Sequence, residues 1–431
     1  MRKKKIIILG AGIAGLSAAW HLKQKGAHFL SFEKEPQVGG LCRSKHVDGF
    51  TFDYDGHLMH FRTDYAFNLV QQLLGSNLAM HKRNSFIYAF AGYTRYPFQA
   101  NLYGLPEQVV KECLLDRVSV DVQKKNSHRN FLDWIRHNFG NGIARYFMIP
   151  YNLKFWTLSP DKLTCSWLQS FIPVPSLKQV LEGTITDSDT RLGYNASFWY
   201  PKKGGIEKLP FAFSRQLVNI YCNRQAREID LKRKEVVFSS GEKENYDVLI
   251  TTIAMPGLKN LIQIAPPAVN KALSKLKWNS VYNLNLGIKR KNAADKHWVY
   301  FPEKEFSFFR VGFAHNFSDF LAPEGKGIIY TETSYSPWRP LDRKSINKKI
   351  IGDLVKAGIL ESKNDVVAWD VNDIKCAYPI YDENYKPARN TIMKFLNKND
   401  IFPCGRYGSW RYMSMEDSIL DGKEVSEKVL A

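Results

Sequence analysis

Gly10-Ala11-Gly12-Ile13-Ala14-Gly15 stands between an apolar, β-branched run and a run with helical spacing, and that placement leaves little choice of local fold. Residues 5–9 (Lys-Ile-Ile-Ile-Leu) suit a buried parallel strand. Leu16 to Lys25 reads as a helix that stops at Gly26, and residues 27–32 read as a second strand ending at Glu33. Together they make a complete βαβ unit. Gly10 permits the tight turn, Gly12 lets the backbone approach a pyrophosphate, and Gly15 lets the helix pack on the strand. The helix start, with Ile13 and Ala14, offers N–H groups and a positive dipole end to phosphates. Glu33 is placed to accept hydrogen bonds from a ribose hydroxyl.

The same chemistry continues beyond the first unit. Gly39-Gly40-Leu41-Cys42-Arg43 follows Glu33-Lys34 and adds a second backbone approach and a cation. That extension suits the longer diphosphate of FAD better than NAD. Near the other chain end, Gly405-Arg406 precedes a helix expected from about Met415 to Leu430. Those residues would close the far end of an extended cofactor, with helix N–H groups near a flavin pyrimidine ring. Noncovalent FAD is the expected cofactor.

The chain has 431 residues, enough for two or three domains. The expected fold class is α/β: a Rossmann-like FAD-binding domain with an interleaved α+β substrate domain and an antiparallel sheet. Helical spacing marks Asp64 to Leu74, Pro106 to Cys113, and Phe131 to Phe139 before Gly140. Strand patterns mark Arg227 to Asp230, Glu235 to Ser239 and Tyr246 to Thr252, and residues 280–330 alternate in strand fashion. Flavin motifs at both chain ends predict a discontinuous FAD-binding domain, residues 1–60, 204–262 and 390–431. Residues 61–203 and 263–389 are left for the substrate-binding region.

The formal charge of +19 attracts anions. The basic runs Arg2 to Lys5 and Lys289 to Lys291 are too short for a nucleic-acid arm, so a phosphorylated small molecule is the expected partner, with room for peripheral contact with an anionic membrane. The six cysteines form no CxxC pair and no His cluster completes a metal site, which points to reduced thiols of a cytoplasmic protein. No run of 18 apolar residues predicts a transmembrane helix. No Ser-His-Asp order or paired-carboxylate motif supports a hydrolase.

Beyond the nucleotide motif, several stretches resemble UDP-galactopyranose mutases, within the wider flavoprotein group of amine oxidases and protoporphyrinogen oxidases. Tyr54-Asp55-Gly56-His57-Leu58-Met59-His60 resembles the mutases' loop beside the flavin. Tyr96-Pro97-Phe98-Gln99-Ala100-Asn101 and Tyr151-Asn152-Leu153-Lys154-Phe155-Trp156 are similar to substrate-pocket segments. Asn195 to Gly205, Phe308-Phe309-Arg310-Val311 and Gly405 to Ser418 also resemble mutase segments. The resemblance implies Gly56 and His57 against the flavin, Phe98, Gln99, Asn101, Trp156, Asn195 and Tyr378 around the substrate, and Arg310 and Tyr412 on its diphosphate. It implies a GR2-type, glutathione-reductase-like cofactor domain. It also implies a reaction in which reduced flavin N5 attacks the anomeric carbon of a nucleotide sugar and pyranose and furanose rings exchange, as in polysaccharide precursor synthesis.

The pattern departs from the mutases at Phe171 and Asn279, where they tend to carry arginine; Lys202 or Lys203 is a candidate substitute. A flavin oxidoreductase of the amine oxidase or desaturase type is the alternative. Arg310 itself has two readings: a partner of an internal carboxylate, or a partner of a substrate phosphate.

Overall fold

A computed structural model describes residues 4–122, 128–168, 171–187, 192–193, 196–291 and 295–431 of the chain. Asn195 and the first residues of the basic run at 2–5 lie outside the described residues.

A five-stranded sheet collects strands from three distant parts of the chain, in the order Ile401–Pro403, Val248–Thr251, Ile6–Leu9, Phe29–Phe32, Ile220–Tyr221. All four pairings are parallel. Ile6–Leu9 and Val248–Thr251 are buried at every residue. That is why they read as continuous apolar runs: both faces of a parallel sheet are covered, so no alternation survives. The helix Ile13–Gln24 follows the glycine loop. It packs closely on the last helix, Met415–Leu430, where Ser17 Oγ donates to the Ile419 carbonyl at 2.7 Å.

A second, seven-stranded sheet runs in the order Val366–Pro379, Trp278–Ile288, Gly327–Tyr335, Arg310–Phe313, Trp298–Tyr300, Ser85–Ala89, Gly92–Arg95. Its pairings are antiparallel except that Trp298–Tyr300 runs parallel to Ser85–Ala89. The strand expectation for 280–330 holds only in pieces. Short 3-10 turns occupy Ala314–Asn316 and Asp319–Leu321, and Pro302 and Pro323 sit in the gaps, where a missing N–H ends a ladder. The alternation along Trp278–Ile288 also has a different meaning from a solvent-washed face. Asn283 and Asn285 are buried at 0% and 2% exposure, so this is a sheet with a buried polar face.

The helix Asp64–Leu74 has the expected bounds, with Thr63 capping it through a bond from Ala66 N. The helix expected over Pro106 to Cys113 spans Glu107–Val122, because no glycine or proline interrupts it. Phe131–Ile143 bends at Gly140, whose φ of +78° is the left-handed conformation glycine adopts most readily.

Candidate functional site

The glycine loop is shaped by its own chain at two of its three glycines. Gly10 has φ +100°, and a Cβ there would lie 2.1 Å from Thr252 Oγ1. A Cβ on Gly15 would lie 2.0 Å from the Gly10 carbonyl oxygen, so the helix could not sit this close to the strand. Gly12 differs. The nearest atom to a Cβ there would be Gly40 Cα at 3.7 Å, an ordinary contact, so the protein alone does not demand glycine. The second glycine pair packs onto this loop, with Gly39 N donating to the Ala11 carbonyl at 2.8 Å and a bridge between Gly12 and Gly39.

Glu33 is 5% exposed and accepts from Ala11 N at 2.7 Å and from Glu35 N at 3.0 Å. Lys34 is exposed and pairs with Glu35. Arg43 donates to the Gly40 carbonyl at 2.8 Å, faces Glu35 at 3.4 Å and stacks on Tyr54. Leu41 packs beside Val281 and Phe309 of the second sheet. The loop residues are thus tied to one another rather than spread over the surface.

Between this region and the seven-stranded sheet lies a cavity of about 260 Å³. The segment Asp55 to Leu58 forms one wall, with Gly56 and His57 among its lining residues. A Cβ on Gly56 would lie 2.5 Å from the Tyr330 hydroxyl, so the segment lies tight on the sheet. The helix Ile149–Trp156 contributes Tyr151 and Trp156, and the turn after Tyr96 contributes Gln99. Arg310 and Tyr378 enter from the sheet, and Arg406, Tyr412 and Met415 from the C-terminal segment. That segment is fixed by a capping box, Ser414 with Asp417, and by Glu416. Glu416 is 1% exposed and accepts from Arg62 N, Thr63 N and Thr63 Oγ1.

Several buried polar atoms on this wall have no partner within the protein. They are the Trp156, Trp167 and Trp298 indole N–H groups, Gln99 Oε1 and His57 Nδ1. Buried polar groups are ordinarily satisfied, so five around one cavity suit a polar occupant. Burial pushes the His57 and His60 imidazoles down to about 4, with the Arg406 and Arg310 charges adding to the effect at His57. Both rings are neutral at pH 7. The Tyr378 and Tyr412 rings stack 5.7 Å apart, and the Arg406 guanidinium lies over both at 5.3 and 5.2 Å. Arg406 also donates from Nε to the Met413 carbonyl at 2.9 Å.

Arg310 is paired within the protein: Nε donates to Glu332 Oε1 at 2.6 Å, and a terminal nitrogen lies 2.5 Å from the same oxygen. Its side chain nevertheless lines the cavity. Phe98 does not; it stacks on Phe147, which does. Asn101 is tied into its own turn by a bond to the Pro97 carbonyl. Phe171 lines the cavity, edge-on to Tyr412 at 4.8 Å, while Asn279 is fully buried, bonded to the Phe155 carbonyl and the Tyr378 N–H. Lys202 and Lys203 are not among the lining residues. Sequence reasoning missed Glu332 and Tyr300. A lone charge inside the otherwise uncharged run Gly327–Tyr335 was the available signal for the first; nothing marked the second. The described residues hold no cluster of metal-ligand type and no helix long and apolar enough to cross a membrane.

Known proteins share this fold along the whole chain. A crystal structure of reduced UDP-galactopyranose mutase superposes with a TM-score of 0.95 at 28% identity, covering 100% of this chain and 94% of that one. A probable UDP-galactopyranose mutase from Klebsiella pneumoniae is 21% identical over 254 residues, 57% of this chain and 59% of that protein, so less than two thirds of its length is spanned. A zeta-carotene-forming phytoene desaturase from Myxococcus xanthus is 44% identical over 416 residues, 82% of this chain and 76% of that protein. The family described as flavin containing amine oxidoreductase matches residues 13–430. That match takes in every residue that lines the cavity, and the chain belongs to the flavin containing amine oxidoreductase family.

Proposed function

We propose that this protein is an FAD-dependent nucleotide-sugar mutase, similar to UDP-galactopyranose mutase, which exchanges pyranose and furanose rings in the supply of cell-surface glycan precursors. The observation that carries this reading is the likeness to the reduced mutase along the whole chain, at a TM-score of 0.95.

The glycine loops fit a dinucleotide: Gly12 is open on the side where no protein atom demands glycine. Gly10, Gly12, Gly15 and Gly40 would cradle the diphosphate, Ile13 and Ala14 would present helix N–H groups, and Glu33 would hold the ribose. Arg43, Leu41, Gly56, His57, Arg406 and Met415 would surround the remainder. The bound FAD, in its reduced form, supplies a nucleophile at the anomeric carbon with no net redox change.

The protein's own residues then have defined tasks. The departing nucleoside diphosphate must be held for its return, which calls for charge-assisted donors. Arg310 keeps three of its five N–H donors after engaging Glu332, and Tyr412 stands on the same cavity. Gln99 and Trp156 offer unpartnered polar atoms to the nucleotide or sugar. The aromatic walls exclude water from a reactive sugar. We assign residues 1–60, 204–262 and 390–431 to the cofactor and 61–203 and 263–389 to the substrate, in keeping with the sheets: every strand of the parallel sheet falls in the first set. The six cysteines are free thiols, as a reducing cytoplasm would keep them.

The desaturase likeness supports a second reading, an FAD oxidoreductase. A polyene needs no cation, and the Arg310 guanidinium faces this cavity from the substrate side, which favours the mutase. Dithionite-reduced protein mixed with a panel of nucleotide sugars should exchange ring size. Oxidation of one substrate per flavin, with indifference to nucleotide sugars, would establish the second reading instead.

A further inference from the structure

The second sheet places Asn372, Asn283, Glu332, Arg310 and Tyr300 side by side on five neighbouring strands. Glu332 is the member whose bonding is incomplete. It is 0% exposed, and Arg310 engages only its Oε1. Its Oε2 is buried and receives no N–H or hydroxyl hydrogen bond. The Asp55 carboxyl lies in hydrogen-bonding contact with the Glu332 carboxyl. Asp55 also lines the cavity, and it holds a φ of +105°, a conformation that costs a non-glycine residue backbone energy. Its Oδ1 accepts from Gly56 N at 2.8 Å, which pins the carboxyl in place.

Two carboxylates in contact repel, and a carboxyl oxygen lacking a donor cannot bond another carboxylate. A single proton between them removes both problems. It also matches the charge, because Arg310 then balances one negative charge rather than two. We propose that Asp55 and Glu332 share one proton at the cavity wall, with Asp55 as the acid–base group for the sugar hydroxyls and Glu332 as the residue that positions and holds the proton. This rests on the mutase reading for its substrate, though not for the shared proton.

The surroundings support it. Burial drives the Glu332 carboxyl well above the usual range, with Arg310 opposing and Asp55 adding to the rise. Tyr330 on the same strand, Tyr151 on the helix Ile149–Trp156, Tyr378 on the neighbouring sheet strand and Tyr412 before the last helix also face this cluster. Burial keeps all four neutral. His57, facing Asp55, is neutral as well. Arg310 is the cation bonded to the pair, through Glu332 Oε1. By favouring the carboxylate form of Glu332, it leaves the shared proton available on the cavity side.

The chemistry balances with one proton. When a pyranose opens, the bond from the anomeric carbon to the ring oxygen breaks, and the pair gives its proton to that oxygen. When another hydroxyl closes the furanose, its oxygen bonds the anomeric carbon and its proton returns to the pair. Nothing is oxidised or reduced at these carboxyls.

Infrared difference spectroscopy of the holoprotein at pH 8, without substrate, tests the pair directly. A protonated carboxyl band should be present, absent in Glu332→Gln and shifted in Asp55→Asn. Asn tolerates a positive φ better than most non-glycine residues, and Gln keeps an acceptor for Arg310. Asp53, pushed up to about 6, is ionised at this pH and does not interfere. Ring exchange in Asp55→Asn should fall about 100-fold with KM unchanged. No such band, or one indifferent to both substitutions, would overturn the shared proton. Full activity in Asp55→Asn beside an active wild type would overturn the acid–base role alone. A wild type that carries the band but exchanges no ring would overturn the mutase reading and the sugar role with it, leaving the shared proton standing.

Discussion

The glycine loops around residues 10–15 and 39–40 and the cavity around Arg310 are built by opposite means. The loops would meet the proposed cofactor with backbone, so what matters is where side chains are missing. A Cβ is excluded at Gly10 and Gly15 by the chain itself, while at Gly12 the protein leaves the space free. The cavity works with side chains from elements far apart in sequence: Asp55, Arg310, Glu332 and Arg406 come together only through the sheet register and the returning C-terminus. A site of missing side chains is written in consecutive residues, and a site of converging side chains is not.

Breaking the loop at its free glycine should have the largest effect. Gly12→Val is expected to abolish flavin uptake, seen as loss of the flavin absorbance band. The apoprotein should keep its stability within about 1 kcal/mol, because no protein atom crowds the new carbon. Loss of stability on the scale of a core clash would show that Gly12 serves the fold.

On the cavity side, Arg310→Ala removes the cation beside a fully buried Glu332. We expect a loss of about 3 kcal/mol in urea unfolding at pH 8, on the scale of breaking a buried ion pair. The loss should shrink at pH 5, where the carboxyls can take up protons instead. A flat cost across pH would contradict the coupling of Arg310 to the acidic pair.

Gly15→Ala comes next, at about 1–3 kcal/mol, from a Cβ that would meet the Gly10 carbonyl at 2.0 Å. The unfolding midpoint measures it. If Gly15→Ala lost flavin with stability intact, the division between fold glycines and ligand glycines would be wrong.

The smallest effect is the pH slope. His57, His60 and His297 are held down to about 4 in the folded protein, against an ordinary value of 6.5. The unfolded chain therefore binds more protons between those values, and their contribution to stability is lost as pH falls. Asp53, raised to about 6, acts in the opposite sense, as does Glu332. Three histidines against two carboxyls predict a falling melting temperature from about pH 7 to about pH 4.5. A rise would show that the buried carboxyls dominate.

The same contrast explains how much the sequence revealed. The βαβ unit, the second glycine pair and the last helix were readable because each lies in one continuous stretch. Arg310 was visible as a costly charge among Phe306, Phe308, Phe309 and Phe313, but not its partner, because a register between Arg310 and Glu332 leaves no mark in either segment. The asparagines of Trp278–Ile288 gave a strand pattern whose polar face proved buried, since alternation reports two different faces and not which of them meets water. Asn101 and Phe98 sit in the segment that supplies Tyr96 and Gln99, yet neither lines the cavity. Sequence proximity placed the segment and could not aim its side chains.

A flavin that rearranges a nucleotide sugar without net oxidation can be tested in one reaction. Anaerobic, dithionite-reduced protein should be mixed with UDP-galactopyranose and the products separated by ring size. Furanose product is expected over many turnovers, with the flavin still reduced at the end and no further reductant consumed. An unchanged nucleotide sugar, alongside an oxidised form of the protein that takes one electron pair from another substrate per flavin, would contradict the mutase reading.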